Sequence, residues 1–127
     1  MANSTTHHVL VPGMNHGAWW YQPVVEALTA LGQQAVGLTL SGLEADPGID
    51  RRIVLDTHVA DVVAAIDALQ APAGSVVLTG HSYGGLPITA AAEARPEQVR
   101  ALVYLDAFLP IDGDSAWSLT NDEQRAW

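Results

Sequence analysis

The sequence predicts an α/β fold: a parallel sheet of four strands with helices on both faces, in the order βαβαβαβ. Three observations predict it. Short apolar runs bounded by Gly and Pro alternate along the chain with segments whose apolar residues recur at helical spacing. The run Gly80-His81-Ser82-Tyr83-Gly84 stands directly between a strand-like and a helix-like segment. The chain has 127 residues, 49% hydrophobic and 15% charged, enough for one domain with a real core.

Each element follows in order. Residues 7–11, His-His-Val-Leu-Val, are apolar and stop at Pro12-Gly13, a strand closed by a turn. A loop over 12–17 leads to a helix over 21–31, with Val24, Val25, Leu28 and Leu31 on one face and Gly32 as its C-terminal cap. Residues 34–40 form the second strand, and 41–55 a loop containing Gly42, Pro47 and Gly48. The helix over 57–69 aligns Val59, Val62, Val63, Ile66 and Leu69, with Asp56 or Thr57 capping its start. After the break at 70–74 comes a third strand, 75–79, and then the Ser82 turn and a helix to Ala94. The fourth strand, 99–105, is strongly apolar. Residues 110–127 are more polar, turn at Asp112-Gly113-Asp114, and read as the start of a further unit.

Composition excludes several functions. Cys is absent, which removes disulfides and thiolate chemistry. Net charge is −9, with five Arg and no Lys, so no nucleic-acid partner is expected. Arg51-Arg52 reads as a solvated loop pair. No apolar run is long enough to span a membrane, and the start carries no signal-peptide pattern, so a cytoplasmic location is expected.

The pattern Gly-x-Ser-x-Gly between strand and helix carries the chemistry. A serine on such a sharp turn projects its hydroxyl above the carboxyl end of the sheet. Gly80 and Gly84 let strand and helix close around it, and the helix amino terminus behind favours developing negative charge. Pro87 falls in the first helical turn, where its missing N–H costs little. A Gly-rich phosphate turn or a plain structural turn is the competing reading. Acyl transfer also needs an oxyanion hole. Its donors here are the N–H groups of Tyr83, after the serine, and of Met14, in the small-residue loop 12–17.

At these residues a family resemblance appears. VPGMNHGAWWYQPVVEAL resembles the oxyanion-loop segment of the α/β-hydrolases grouped with methylesterases and hydroxynitrile lyases. GLTLSGLEADPGIDRRIVLDTHVADVVAAI resembles the middle of their bacterial, pyrethroid-hydrolase-like relatives, and VVLTGHSYGGLPITAAAEARPEQVRALVYLDAFLPIDGDS the elbow and next strand. The resemblance implies a partial α/β-hydrolase core over 1–109 and the start of a cap or lid over 110–127. It implies Ser82 as nucleophile, Met14 and Tyr83 as oxyanion donors, and a structural His16 beside Trp19. Pro12-Gly13 departs from the His-Gly of many hydrolases. Complete members are roughly twice as long, with a triad in the order Ser, acid, His. All five His of this chain precede Ser82, so the triad acid and base are expected in downstream sequence. The family's strand order, second-first-third-fourth, would leave 99–105 as an edge prone to self-association.

The remaining candidates read as follows. His81 should point away from the hydroxyl, and His58 fits a structural role at a helix start. His16 is the upstream His nearest the site. Asp106, beyond the fourth strand, lines the pocket or serves as an alternative acid. His7-His8 lack a third ligand, so no metal is expected, nor any cofactor. Trp19, Trp20 and Tyr104 read as core packing. The expected function is hydrolysis of a small-molecule carboxylic ester through an acyl-enzyme on Ser82. The alternatives are cyanohydrin cleavage and a non-catalytic, truncated hydrolase acting as a binding module.

Overall fold

β1 (His7–Val11) is the strand around which the sheet forms, because Val9, Leu10 and Val11 are buried on both of its faces. The computed structural model describes residues 4–45, 48 and 50–126. β1 pairs in parallel with β2 (Gln34–Gly37) on one side and with β3 (Val76–Ser82) on the other. β4 (Val99–Ala107) extends the sheet beyond β3, giving the order β2-β1-β3-β4, all parallel. The helices are α1 (Gln22–Ala30), entered through a 3₁₀ turn at Ala18–Tyr21, α2 (Leu55–Leu69) and α3 (Gly85–Ala94). Two single-turn helices follow, α4 (Ala116–Leu119) and α5 (Asp122–Arg125), started by the side chains of Ser115 and Asn121.

The register sorts the side chains between two faces. Val9, Val11, Val76, Leu78, Leu102 and Tyr104 share one face and pack with Val62 and Ile66 of α2 and Leu86, Ile88 and Ala91 of α3. This is the main core. The opposite face carries Leu10 and Val77, with the 3₁₀ turn and α1 over its β2 side. There Gly37 must be small, since a Cβ would lie 3.0 Å from the Ala18 carbonyl oxygen. Tyr21 is buried beside it, its hydroxyl donating to the Val11 carbonyl (3.3 Å), and burial pushes its pKa up to about 12.

Several expectations need correction. The second strand's ladder ends at Gly37 rather than at residue 40, although Leu38 N–H still donates to the Leu10 carbonyl. α2 starts two residues early. Its N-cap is Val54, and Thr57 reaches back to accept the Val54 N–H, so neither Asp56 nor Thr57 is the cap residue. α1 buries less than its pattern suggests: Val25 and Leu28 are half-buried, but Leu31 is 74% exposed. The four-residue edge strand beneath it is too narrow to cover a full apolar stripe. Trp19, 67% exposed, is not in the core. Tyr104 is half-buried, its hydroxyl 2.6 Å from Thr89 Oγ1 of α3. Pro47 lies outside the described residues.

β4 is longer than expected and lies at the edge of the sheet. Ala101, Val103 and Leu105 are exposed on the face away from α3, Val103 and Leu105 by 44% and 48%. His7 and His8 sit at the amino end of β1, opposite the end that carries Ser82. Among the described residues no group of three metal-ligating side chains forms, and no helix is long and apolar enough to cross a membrane.

Candidate active site

Ser82 is the last residue of β3, and α3 begins three residues later. Its φ is +52°, a region an L-residue enters at a cost of about 1–2 kcal/mol. The turn is held by Gly84 N–H donating to the His81 carbonyl (2.8 Å), and by Phe108 N–H donating to the Ser82 carbonyl (3.0 Å) from the end of β4. A Cβ on Gly80 would sit 2.6 Å from the Gly84 carbonyl oxygen, and one on Gly84 2.5 Å from the Val11 carbonyl oxygen. Gly85, not singled out from sequence, is the tightest of the three: a Cβ there would collide with the Phe108 carbonyl oxygen. The doubled Gly84-Gly85 was the signal that could have found it.

The loop after β1 lies directly against this turn. A Cβ on Gly13 would come within 3.0 Å of Ser82 Cβ. His16 shapes the loop: its N–H donates to the Gly13 carbonyl (3.3 Å), and its Nδ1–H to the Met14 carbonyl (2.8 Å). Asn15 between them takes φ +63°. Ala18 N–H donates to Thr39 Oγ1 (2.9 Å), which fixes the loop to the segment that follows β2. Neither the Met14 nor the Tyr83 N–H donates to a protein acceptor among the described residues. Two uncommitted amides therefore belong to the loop and the turn that meet at Ser82.

His16 packs among Trp19, Trp20 and His81, at ring distances of 5.6, 5.4 and 6.2 Å. Trp20 stacks on His81 at 4.3 Å. His81 Nδ1 is buried and has no partner among the described residues. Burial and then the neighbouring His16 hold the His81 pKa below its ordinary value, and Asp106 opposes them. Asp106 is exposed at the carboxyl end of β4 with φ +45°. It is the extra residue of a bulge, since His81 pairs with Leu105 and Ser82 with Ala107.

The Tyr83 side chain turns inward instead. Its hydroxyl lies 2.8 Å from His58 Nδ1, and His58 Nε2 lies 2.9 Å from the Ser41 carbonyl oxygen. Ser41 N–H and Oγ–H both donate to Asp61 of α2, at 2.8 and 2.9 Å. Burial raises the Tyr83 pKa. A cavity of about 330 Å³ opens here, lined by Met14, Leu43, Leu55, His58, Tyr83 and Leu86 among others. The structure thus brings together Ser82, the Gly13–Met14 loop and Tyr83, places His16 behind the loop, and sets Asp106 on the neighbouring strand end.

The chain and its fold have counterparts among known proteins. The family model described as the alpha/beta hydrolase family matches residues 9–126. A carbendazim-hydrolysing esterase from Nocardioides sp. (strain SG-4G) is 39% identical over 112 residues, covering 87% of this chain and 46% of that protein. Esterase PIR7B from Oryza sativa subsp. japonica is 36% identical over 113 residues, covering 88% of this chain and 42% of that protein. An extracellular α/β-hydrolase from a Paenibacillus species, described as sharing structural and functional homology with tobacco salicylic acid binding protein 2, superposes with a TM-score of 0.82 at 25% identity. That match covers 94% of this chain and 48% of the solved one. The chain spans under half the length of the curated relatives it matches.

Two outcomes follow from this geometry. Replacing Ser82 by Gly relieves the positive φ, whereas Ala keeps it. Urea unfolding should find Ser82→Gly more stable than Ser82→Ala by about 1 kcal/mol, the reverse of the order in ordinary strand positions. His8 and His81 both have pKa values held below the ordinary 6.5, chiefly by burial. Below that value the unfolded chain binds more protons, so their stabilising contribution is present at pH 7 and is lost as pH falls through the folded values. The melting temperature should drop between pH 7 and 5, and His81→Gln should make that slope shallower.

Proposed function

We propose a serine esterase: the chain belongs to the α/β-hydrolase family, whose named relatives here include esterases, and Ser82 is its nucleophile. The observation that carries this reading is Ser82 at φ +52° between β3 and α3, with the Gly13 loop packed against its Cβ. In the proposed reaction Ser82 Oγ attacks the ester carbonyl carbon as its proton passes to a general base. The carbonyl oxygen becomes an oxyanion, stabilised by the Met14 and Tyr83 N–H groups. Collapse expels the alcohol, which takes the proton, and leaves an acyl-enzyme. Water then attacks the acyl carbon, releasing the acid and restoring the serine. These steps call on no metal or cofactor.

The base and its acid partner are proposed to come from chain outside these 127 residues. All five His precede Ser82, the reverse of the order Ser, acid, His. His58 commits both ring nitrogens, and His16, whose Nδ1–H donates to the Met14 carbonyl, packs its ring among Trp19, Trp20 and His81. Asp106 is proposed to line the mouth of the site. The cavity beside Met14 and Tyr83 is mostly apolar, which suits a small ester with an apolar acyl or alcohol group.

The protein carrying this sequence should hydrolyse p-nitrophenyl acetate, and Ser82→Ala should lower kcat by at least about 10³-fold. A fluorophosphonate should add to Ser82, located by peptide mass spectrometry. Hydrolysis that survives Ser82→Ala would refute the assignment. Residues 1–127 expressed alone should self-associate through β4, whose outer edge is unpaired among the described residues and exposes Val103 and Leu105. Sizing chromatography should show a dimer or larger species, shifted toward monomer by Val103→Lys with Leu105→Lys. A monomeric parent would overturn that proposal.

A further inference from the structure

We infer that His58 is a positioning residue for the oxyanion hole, acting through the side chain of Tyr83; this rests on the esterase reading above. The ring sits between two partners of fixed character. The Ser41 carbonyl can only accept, so Nε2 carries the proton and donates to it at 2.9 Å. Nδ1 is then bare and must accept, and the Tyr83 hydroxyl donates to it at 2.8 Å. Tyr83 is nearly buried, so this hydroxyl has little recourse to water. The ring planes of His58 and Tyr83 meet nearly edge to face, at 82°, which fixes the phenol as well as its oxygen.

The far end of the chain of contacts is fixed too. Asp61 accepts from both the N–H and the hydroxyl of Ser41, one turn of α2 beyond His58. Three segments far apart in sequence are thereby joined: the loop after β2, the start of α2, and the residue after Ser82. The Tyr83 backbone N–H is the group proposed to meet the oxyanion, and it shares a planar peptide with the Ser82 carbonyl, which accepts from Phe108 N–H. Anchoring the side chain adds a second restraint on that amide, from the Tyr83 Cα side. A donor displaced by a fraction of an ångström stabilises the transition state less and leaves substrate binding largely intact.

The experiment uses the complete protein and compares His58→Ala, His58→Gln and Tyr83→Phe. Gln offers an acceptor and a donor that can replace both ring contacts. His58→Ala and Tyr83→Phe should each lower kcat for p-nitrophenyl acetate about 10-fold with KM changed less than about 2-fold, the double variant should be no worse than either single one, and His58→Gln should recover most of the rate. A loss confined to KM, additive losses, or Gln as poor as Ala would overturn the inference, because His58 would then be a cavity wall or a packing residue. A second readout needs no turnover. In ¹⁵N relaxation NMR, His58→Ala should lower the order parameter of the Tyr83 amide while Leu78, in the core of β3, stays rigid. An unchanged Tyr83 order parameter would overturn the coupling, and a lowered one in a protein without esterase activity would reject the esterase reading alone.

Discussion

The close approach of backbone to backbone around the Ser82 turn is the constraint on which the rest of the structure depends. The Val11 carbonyl of β1 closes on Gly84 from one side, and the Phe108 carbonyl beyond β4 closes on Gly85 from the other. Two adjacent residues without side chains let three strands and one helix meet within a single turn. The same crowding holds Ser82 at a positive φ that it would otherwise leave. The bulge at Asp106 belongs to this arrangement: one extra residue in β4 lets Phe108 N–H reach the Ser82 carbonyl while Val77 to His81 stay in register with Ala101 to Leu105.

From that turn the surroundings follow. The loop after β1 must pass close enough to leave no room for a side chain at Gly13, and a loop that near needs its own restraints. His16, Asn15 and Thr39 supply them through backbone contacts and a left-handed residue. On the other side, the Tyr83 side chain is restrained through His58 and Ser41. An imidazole thus contacts the residue of each proposed oxyanion donor, His16 at the Met14 carbonyl and His58 at the Tyr83 hydroxyl. In each case a histidine donates an N–H to a backbone carbonyl, Nδ1–H in His16 and Nε2–H in His58.

The sequence announced the fold through local signals. Apolar runs closed by Gly and Pro marked β1, β3 and β4, and helical spacing marked α2, because burial on both faces or on one stripe imposes those periods. The Ser82 turn was legible for the same reason: its glycines are demanded within five consecutive residues. What could not be read was long-range. That His58 meets Tyr83 and Ser41 depends on contacts across 25 and 17 residues. Trp19 is apolar yet exposed, with His16 stacked on it, and α1 shows half its apolar stripe, because the four-residue edge strand β2 is too narrow to cover both. The N-cap of α2 was misplaced because Val54, with no polar side chain, holds the position while Thr57 supplies the oxygen.

A division of labour follows from where these groups lie. Stabilising an oxyanion requires fixed dipoles, and backbone amides in a restrained turn provide them wherever strands, loop and helix converge. Moving a proton requires a side chain with a suitable pKa at hydrogen-bond distance. Among the described residues neither His16, His58 nor His81 hydrogen-bonds the Ser82 hydroxyl, His58 has both ring nitrogens engaged, and His81 lies under Trp20 with burial opposing its charge. On the proposed reading, this part of the molecule sets the electrostatics of the site and leaves the proton transfer to residues beyond it. The two tasks tolerate error differently. A base on a flexible side chain can adjust to its substrate, whereas an amide donor is only as well placed as the backbone that carries it. That is the physical reason for a crowded turn, a tied loop and a tethered tyrosine to occur together around one serine.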